Sequence, residues 1–237
     1  MIVLLTDFGT ADPYVGQVRL RLSQDAPGVP IIDLFHDLPS FAVQASSYLV
    51  SAYCRDVPRG AVIMAIVDPG VGGARNAIAL RAGARTYVGP DNGLFEMVAR
   101  RENVEGCDAL TVPHGAARTF HGRDVFAPAA AALACGVRPS GRAVSLTRFP
   151  DWDDDWARVI FIDHYGNAVT GLRARPQLRT IIAGGRRLRR RDIFAEGAPG
   201  EPFFYENANG LIEIAAREAS AAAILGLNLA DPLLVAD

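Results

Sequence analysis

The 237-residue chain contains no lysine, and all 24 of its basic side chains are arginine. A coding bias toward arginine explains this absence most simply. The chemical consequence is an exclusion, because Schiff-base catalysis and the phosphate-binding loop of nucleotide hydrolases both need a lysine amine. The sequence therefore excludes pyridoxal-phosphate enzymes of the usual kind and ordinary P-loop ATPases.

Cysteine is also scarce, and the chain lacks the short motifs that hold metals. Its three cysteines, Cys54, Cys107 and Cys135, are far apart and form no Cys-x-x-Cys pair. The four histidines show no metal-binding spacing such as His-Glu-x-x-His. We therefore expect no metal site, and we interpret the cysteines as three small buried hydrophobic residues.

Long apolar runs and a charge excess are both absent. No stretch approaches the roughly 20 apolar residues of a membrane-spanning helix, and the net charge is only −2. The apolar N-terminus has no basic residues and meets Asp7 at once, which argues against a signal peptide. These features predict a soluble cytoplasmic protein with no membrane or nucleic-acid partner.

Arg186–Arg191 holds five arginines in six residues, but without interleaved aromatics we expect a solvated hairpin face.

The first 140 residues alternate between short apolar runs and segments with helical spacing. This alternation predicts an α/β domain over residues 1–140, with helices on the faces of a mainly parallel sheet. Ser40 is a candidate N-cap for the second helix. The predicted strands are Ile2–Thr6, Pro30–Phe35, Ala61–Val67, Ala77–Arg81, Thr86–Val88 and Ala109–Val112, and the predicted helices are Tyr14–Leu22, Phe41–Tyr53, Asn92–Arg100 and Val125–Cys135.

The pattern changes in the second half of the chain. Residues 141–156 are rich in turn-forming, basic and acidic residues and are interpreted as a linker. From 157 to 237 the apolar runs are short and separated by Gly and Pro, which is typical of a small all-β barrel or sandwich. Helical content is limited to a segment near Ala219–Leu225.

Polar residues follow three predicted strands of the first domain. Asp7 follows the first strand, Asp68 the third, and Asp91 and Asn92 the fifth. A single Asp after a strand is often only a turn former. Ligands of open parallel sheets bind at the carboxyl ends of strands, so three such clusters favour a ligand site that includes Asn92.

Two further segments carry groups suited to catalysis. Asp68 and Arg75 flank a Gly-rich loop and can meet if the loop folds back; a surface ion pair worth at most about 1 kcal/mol is the alternative. His121 precedes a predicted helix, whose positive end favours a neutral imidazole. His36 and His114 are interpreted as structural.

The second half offers two polar turns and one acidic residue in an apolar run. Asp163 and Asn167 form a tight turn whose side chains can also read a purine edge or an ammonium group. Asn207–Asn209 is a second polar turn. Glu213 follows it within an apolar strand and needs a partner if it is buried.

Taken together these segments resemble the S-adenosylmethionine (SAM) hydroxide adenosyltransferase family, which is related to the fluorinases and chlorinases. The resemblance covers nearly the whole chain in the expected order. It rests on Leu4-Leu-Thr-Asp-Phe-Gly-Thr10, Val67-Asp-Pro-Gly-Val-Gly72, Gly89-Pro-Asp-Asn-Gly-Leu94, Thr119-Phe-His-Gly-Arg-Asp124, Ile162-Asp-His-Tyr-Gly-Asn167 and Asn207-Ala-Asn-Gly-Leu-Ile-Glu213.

The resemblance implies a specific enzyme. Each chain would have an N-terminal α/β domain and a C-terminal β-barrel. Three chains would form a homotrimer with active sites between subunits. Its reaction would be hydrolysis of SAM to adenosine and L-methionine, with SAM as a substrate and no cofactor or metal. The implied catalytic set is Asp68, Arg75 and His121.

The resemblance also implies a set of substrate-binding residues. Asp7 matches the carboxylate that holds the ribose hydroxyls, and Asp12 lies where relatives contact the methionine end. Asp163 and Asn167 match positions that face the methionine ammonium and the adenine. The rest of the pocket matches Asn207, Ala208, Glu213 and the backbone at Ala216. The family often has Ser at the position of Ala208, so only a backbone contact is expected there.

Two other functions stay open at this stage. One is a halide-using adenosyltransferase, and the other is a module that binds SAM or adenosine without turnover. A carboxylate at about 4 Å repels a halide by about 4 kcal/mol at an effective dielectric near 20, which is about a thousandfold in binding. Asp68 therefore favours water as nucleophile, unless it is protonated or neutralised by Arg75.

Overall fold

The computed structural model describes residues 1–236. The chain divides into two compact units, Met1–Phe149 and the residues from Pro150 onward. This division falls inside the segment 141–156 that the sequence indicates as a linker. The first three residues of that segment, Gly141–Ala143, form a strand of the first unit.

The first unit has seven strands and four α-helices. Its elements are β1 Ile2–Thr6, α1 Tyr14–Asp25, β2 Ile31–Phe35, α2 Val43–Tyr53, β3 Val62–Ile66, β4 Ala77–Ala82, β5 Arg85–Pro90, α3 Glu96–Arg101, β6 Val104–Leu110, a π-helical turn Gly122–Phe126, α4 Ala127–Ala134 and β7 Gly141–Ala143.

The elements predicted for this unit are present with shifted ends, but two details are wrong. Ser40 does not cap α2, because Phe41 adopts a positive φ of 63° and the helix begins only at Val43, with no side-chain cap. Strand β7 was not predicted, since its three exposed residues carry no apolar pattern.

The seven strands form one mixed sheet in the order β2-β1-β3-β5-β4-β6-β7. The pairs among β2, β1, β3 and β5 are parallel, whereas β4, β6 and β7 join by antiparallel pairs. The expectation of a mainly parallel sheet therefore holds for only half of it. The reason is local: only Gly83 and Ala84 connect β4 to β5, both with positive φ, and a two-residue turn can join only antiparallel neighbours.

The core of this unit lies between the parallel strands and the helices α1 and α4. Strands β1 and β3 are buried along their full length, as expected of parallel strands covered on both faces. Leu22 of α1 and Phe126, at the end of the π-helical turn, pack with them. Helix α4 consists almost entirely of alanine, so its backbone can approach the sheet closely.

The second unit contains strands in two antiparallel sheets and one short α-helix. Its elements are β8 Trp156–Ile162, β9 Ala168–Arg173, β10 Thr180–Ala183, β11 Arg186–Arg189, a 3-10 turn Phe194–Glu196, β12 Pro202–Glu206, β13 Leu211–Ala216, α5 Ala221–Leu225 and β14 Leu234–Ala236. One sheet has the order β12-β13-β9-β8 and the other the order β11-β10-β14.

A closed barrel, which the resemblance implies, is not found among residues 150–236. Isolated bridges at Arg158–Pro232 and Arg190–Phe204 connect the two sheets, but no continuous ladder closes them. Pro232 contributes to this because it has no amide hydrogen to extend a ladder. The sheets enclose an apolar core that includes Ile181, Phe204 and Ile212.

Three smaller expectations have clear outcomes. Arg186–Arg189 does form one side of a hairpin with β10, and only Leu188 in it is buried. Cys54 and Cys107 are buried, but Cys135 is exposed because it lies at the C-terminal end of α4. Within residues 1–236 no helix combines the length and the apolar character needed to cross a bilayer.

Candidate active site

The carboxyl ends of the parallel strands β1 and β3 open into a pocket in the first unit. Asp7 follows β1 and Asp68 follows the end of β3, and both line the pocket. Phe8, Phe41, Phe120 and His121 are among its other lining residues. The cavity measures about 210 Å³, which is below the roughly 300–1,000 Å³ of typical ligand pockets. It can therefore enclose only part of a ligand the size of SAM.

Arg75 contacts both Asp68 and His121, and these two residues line the pocket. Arg75 donates from Nε to Asp68 Oδ1 at 3.1 Å and from Nη2 to Asp68 Oδ2, so the pair is bidentate. The same Nη2 lies 3.0 Å from His121 Nδ1. The Gly-rich loop has therefore folded back as expected, and the ion pair is buried rather than a surface pair.

Arg75 is held so that one donor group is unused. Its guanidinium lies 5.3 Å from the centre of the Phe126 ring, and its side chain is 10% exposed. Within the described residues, Nη1 of Arg75 is buried without a hydrogen-bond partner. Unpaired buried donors are rare in native proteins and often mark sites where a ligand or water binds.

The contact with Arg75 defines the protonation of His121. A guanidinium can only donate, so His121 Nδ1 must accept and the ring must be neutral with its hydrogen on Nε2. Burial lowers the pKa of His121 and the positive charge of Arg75 lowers it further, which favours the same neutral form. The neutral imidazole expected from the sequence is thus present, with burial as its main cause.

A close approach between two loops brings these residues together. Gly72 has a φ of 74°, and a Cβ at this position would lie 2.2 Å from the carbonyl oxygen of Arg118. Only glycine allows the loop after Asp68 to pack directly on the segment that leads to His121. The glycine run therefore supports the geometry of the charged groups.

Asp7 lines the pocket in a partly buried position. Its Oδ2 accepts a hydrogen bond from the backbone of Phe41 at 3.2 Å. Burial raises the pKa of Asp7, the Phe41 hydrogen bond opposes this, and the nearby charge of Asp68 adds a smaller rise. A carboxylate in this setting gains from any ligand that donates hydrogen bonds to it.

Two residues predicted to bind substrate do not line this pocket. Asn92 donates from Nδ2 to the carbonyl of Val67 at 2.9 Å and accepts from the backbone of Leu94 at 3.2 Å. It therefore stabilises the backbone next to Asp68. Asp12 is exposed before α1. Their assignment to substrate remains a prediction.

The second unit has a larger pocket of its own, about 650 Å³ in volume. Its wall combines aromatic rings with small and polar residues, namely Tyr165, Asn167, Phe194, Tyr205, Ala216 and Ser220. Such a mixture of flat apolar surface and few polar groups is typical of small-molecule sites. Asn167 and Ala216 were both predicted to bind substrate.

Asp163 shapes the turn that presents Asn167. Its Oδ1 accepts hydrogen bonds from the backbones of Tyr165 and Asn167, and its Oδ2 accepts from Asn167 Nδ2 at 2.9 Å. The Asn167 amide is therefore held with its oxygen still available for a ligand donor. Asp163 contributes to the pocket through this turn.

Glu213 has the partner that its burial requires. Tyr205 donates its hydroxyl to Glu213 Oε1 at 2.5 Å, and Asn207 donates from Nδ2 to Oε2 at 3.0 Å. Asn207 Oδ1 in turn accepts from the backbones of Asn209 and Leu211. Glu213 therefore orders Tyr205 and the Asn207 turn, while Ala208 is exposed on that turn.

Family models match both units of the chain. The model of the SAM hydroxide adenosyltransferase N-terminal domain matches residues 2–142, and that of the C-terminal domain matches residues 157–234. The chain belongs to the SAM hydroxide adenosyltransferase family. The resemblance inferred from the sequence motifs is thereby confirmed.

Relatives of this family member span nearly its full length. An (R)-S-adenosyl-L-methionine hydrolase of Thermus thermophilus is 38% identical over 98% of this chain and 98% of its own. A fluorinase of Actinoplanes is 26% identical over 91% of this chain and 90% of its own. An uncharacterized conserved protein of Thermotoga maritima has a solved structure that matches with a TM-score of 0.89 at 26% identity, over 100% of both chains.

Sequence inspection of this family member missed the aromatic residues of both pockets. Phe41 lines the first pocket with strained backbone, and Phe194 and Tyr205 line the second. Aromatic residues next to polar turns were the only available signal. Within residues 1–236, no three side chains of His, Cys, Asp and Glu cluster as metal ligands would.

Proposed function

We propose that this protein hydrolyses SAM to adenosine and L-methionine by in-line attack of a water molecule on the ribose C5′. The contact of Asp68, Arg75 and His121 at the edge of a pocket is the observation that carries the proposal. Membership of the family and the similarity to an (R)-S-adenosyl-L-methionine hydrolase support it.

The chemistry requires little beyond the placement of water. SAM is a sulfonium, so methionine is already an excellent leaving group and needs no proton from the enzyme. The remaining task is to hold one water in line behind C5′ and exclude others, which a closed pocket with fixed donors and acceptors can do. No cofactor or metal is part of this proposal.

Each member of the catalytic set has a defined role in this scheme. The Asp68 oxygens each keep a lone pair after binding Arg75, so Asp68 can accept a proton of the water. The unused Nη1 of Arg75 can donate to the water oxygen and stabilise developing hydroxide character. His121 carries its hydrogen on Nε2 and therefore acts as a donor, which leaves Asp68 as the base.

The substrate-binding roles follow the positions of the remaining residues. Asp7 would accept hydrogen bonds from the ribose 2′ and 3′ hydroxyls, which offsets the cost of its burial. The pocket of the second unit would hold nucleoside or methionine groups, with Asn167 and the Asn207 turn as polar contacts. Asp12 is assigned to the methionine end.

We also propose a homotrimer with active sites between subunits. The first pocket is too small for the whole substrate by itself, which supports a site completed by other surfaces. A cytoplasmic location and the absence of a nucleic-acid partner belong to the same proposal, since the net charge is negative and the Arg-rich hairpin carries no aromatic platform.

One observation favours a halide-using adenosyltransferase as the second candidate. The bidentate contact with Arg75 neutralises much of the Asp68 charge that would repel an anion. Similarity to a fluorinase agrees with this alternative. The hydrolase is preferred because the carboxylate offers a proton acceptor that a halide nucleophile does not need.

Product analysis distinguishes the candidates. The purified protein would be incubated with SAM in buffer containing chloride, fluoride or neither ion, with and without a chelator, and the products separated by chromatography. Hydrolysis predicts adenosine and methionine in every buffer, at rates unaffected by the chelator. Halide-dependent 5′-halo-adenosine would establish the alternative, and intact SAM despite tight binding would leave only a binding module.

A further inference from the structure

We propose that Thr6 and His36 are positioning residues. They hold the turn of residues 6–9, called the Asp7 turn below, in the conformation that binds ribose. This inference rests on the proposed role of Asp7. Neither residue belongs to the catalytic set, and His36 was interpreted from sequence as merely structural. The two side chains are nearly fully buried, at 1% and 6% exposed, directly behind the turn.

The segment around His36 is attached to the Asp7 turn at several points. Gly9 donates its backbone N–H to the carbonyl of His36 at 2.8 Å, and Leu38 donates to the carbonyl of Thr6 at 3.1 Å. The side chains add a third connection, with Thr6 Oγ1 and His36 Nδ1 at 2.8 Å. Two backbone hydrogen bonds and one side-chain contact therefore hold the Asp7 turn, and neither Thr6 nor His36 is among the residues that line the pocket.

We assign a direction to this side-chain contact from the surroundings of the His36 ring. His36 Nε2 lies 3.2 Å from Asp33 Oδ1, without full hydrogen-bond alignment, and a nearby carboxylate favours the ring hydrogen on that nitrogen. Nδ1 of a neutral ring then accepts, so the Thr6 hydroxyl donates to it. The backbone N–H of Phe8 donates to the same Thr6 oxygen at 3.3 Å. The chain of hydrogen bonds thus ends at the residue next to Asp7.

The contacts of Thr6 and His36 restrain the backbone on either side of Asp7, whereas Phe41 restrains its carboxylate directly. Phe41 donates its backbone N–H to Asp7 Oδ2, and within residues 1–236 no side chain donates to Oδ1, which leaves that oxygen for ligand. Loss of the Thr6 hydroxyl would leave the Phe8 N–H and His36 Nδ1 unpaired in a buried site, so the turn would relax. Ribose binding should weaken as a result.

Adenosine binding by the full-length protein tests this inference by calorimetry. Thr6→Val keeps the side-chain shape and removes the hydroxyl, and it should weaken adenosine binding about tenfold, a fraction of what loss of a hydrogen-bonded carboxylate costs. Thr6→Ser restores the hydroxyl and should bind within about twofold of the unaltered protein. With SAM, Thr6→Val should raise KM and leave kcat nearly unchanged.

Thr170→Val is the matched control. Thr170 is fully buried in the second unit, donates to the carbonyl of Ile212 at 2.9 Å and accepts from the backbone of Leu172, as Thr6 accepts from Phe8. Its removal should cost similar stability without changing adenosine binding. Equal weakening by Thr6→Val and Thr170→Val would overturn the inference, because general destabilisation would then explain both.

A double-mutant cycle tests whether the effect passes through Asp7. In an Asp7→Asn background, Thr6→Val should change adenosine binding by less than about twofold, since coupled residues are not additive. An undiminished tenfold effect there would overturn the inference. If Asp7→Asn alone left adenosine binding unchanged, Asp7 would not bind ribose as the proposed function states. The inference would then be overturned as well.

A spectroscopic measurement keeps the inference testable if Thr6→Val does not fold. The ring ¹⁵N signals of His36 are identified as those missing from the spectrum of the His36→Asn variant. Their chemical shifts should show an unprotonated Nδ1 and a hydrogen on Nε2. His36→Asn places an amide oxygen near the Nδ1 position and should bind adenosine better than His36→Leu. A hydrogen found on Nδ1, or equal binding by the two variants, would overturn the directed contact.

Discussion

The two pockets of this protein use buried charge in different ways. In the first unit, Asp68 and His121 each contact Arg75, whose Nη1 donor stays unused. In the second unit, the Glu213 carboxylate accepts hydrogen bonds from Tyr205 and Asn207. The Asp163 carboxylate accepts hydrogen bonds from the Asn167 turn. The charged set of the first unit keeps an unpaired donor, whereas the two acidic residues of the second unit are paired within the protein.

This difference indicates separate tasks for the two units. Unused hydrogen-bonding capacity in a buried site is costly unless a ligand or water completes it, so it marks the place of chemistry. A fully satisfied polar network instead holds side chains rigid and defines a shape. We therefore expect substitutions of Asp68, Arg75 and His121 to change mainly kcat and those in the Glu213 network of the second unit to change mainly KM.

The largest effect should come from Asp68→Asn. The amide keeps the shape but cannot take a proton from water, and kcat should fall about a thousandfold, within the usual range for loss of a general base. SAM binding measured by calorimetry should stay within about threefold of the unaltered protein. A variant with normal kcat and weakened SAM binding would assign Asp68 to binding and remove the contrast between the pockets.

A smaller effect should appear in the pH dependence of kcat/KM. Protonated His121 could no longer accept from Arg75, so activity requires the neutral ring. Because burial and Arg75 hold the pKa of His121 below its ordinary value of 6.5, activity should be constant from pH 7 to 8. Below that lowered pKa it should fall about tenfold for each pH unit.

His121→Asn provides the control for this pH profile. The amide oxygen can accept from Arg75 but does not titrate, so the fall assigned to His121 should vanish. An unchanged profile in His121→Asn would assign the titration to another group. Asp7, whose pKa is raised by burial, would then be the first candidate.

The smallest effect should come from Glu213→Gln in the second unit. Glutamine has one neutral acceptor oxygen, so Tyr205 and Asn207 can no longer both donate to a carboxylate, and the pocket wall loosens. We expect KM for SAM to rise about fivefold with kcat nearly unchanged, since a hydrogen bond to a charged acceptor exceeds one to a neutral acceptor by about 1 kcal/mol. Glu206→Gln, on the exposed end of β12, should leave both constants unchanged. A fall in kcat without a change in KM would contradict the division of tasks.

Much of the site was predictable because its residues follow strand ends. Asp7 and Asp68 come after buried apolar strands, and parallel strands place such residues at one edge. The Asp68–Arg75 contact was also expected, because the two residues flank a loop of glycines. The roles of Asn92 and Glu213 were not predictable, because the sequence does not distinguish a side chain that bonds other groups of the protein from one that faces a ligand.

The sequence by itself determined the order of strands and helices, the two-part organisation and the family, because apolar periodicity and local motifs depend on near neighbours in the chain. Only the tertiary structure decided two features: the convergence of Arg75 on His121, and the contact between Thr6 and His36. These depend on contacts between residues about 30 and 46 positions apart. Such contacts form only when packing brings separate segments together, and no local pattern encodes their geometry.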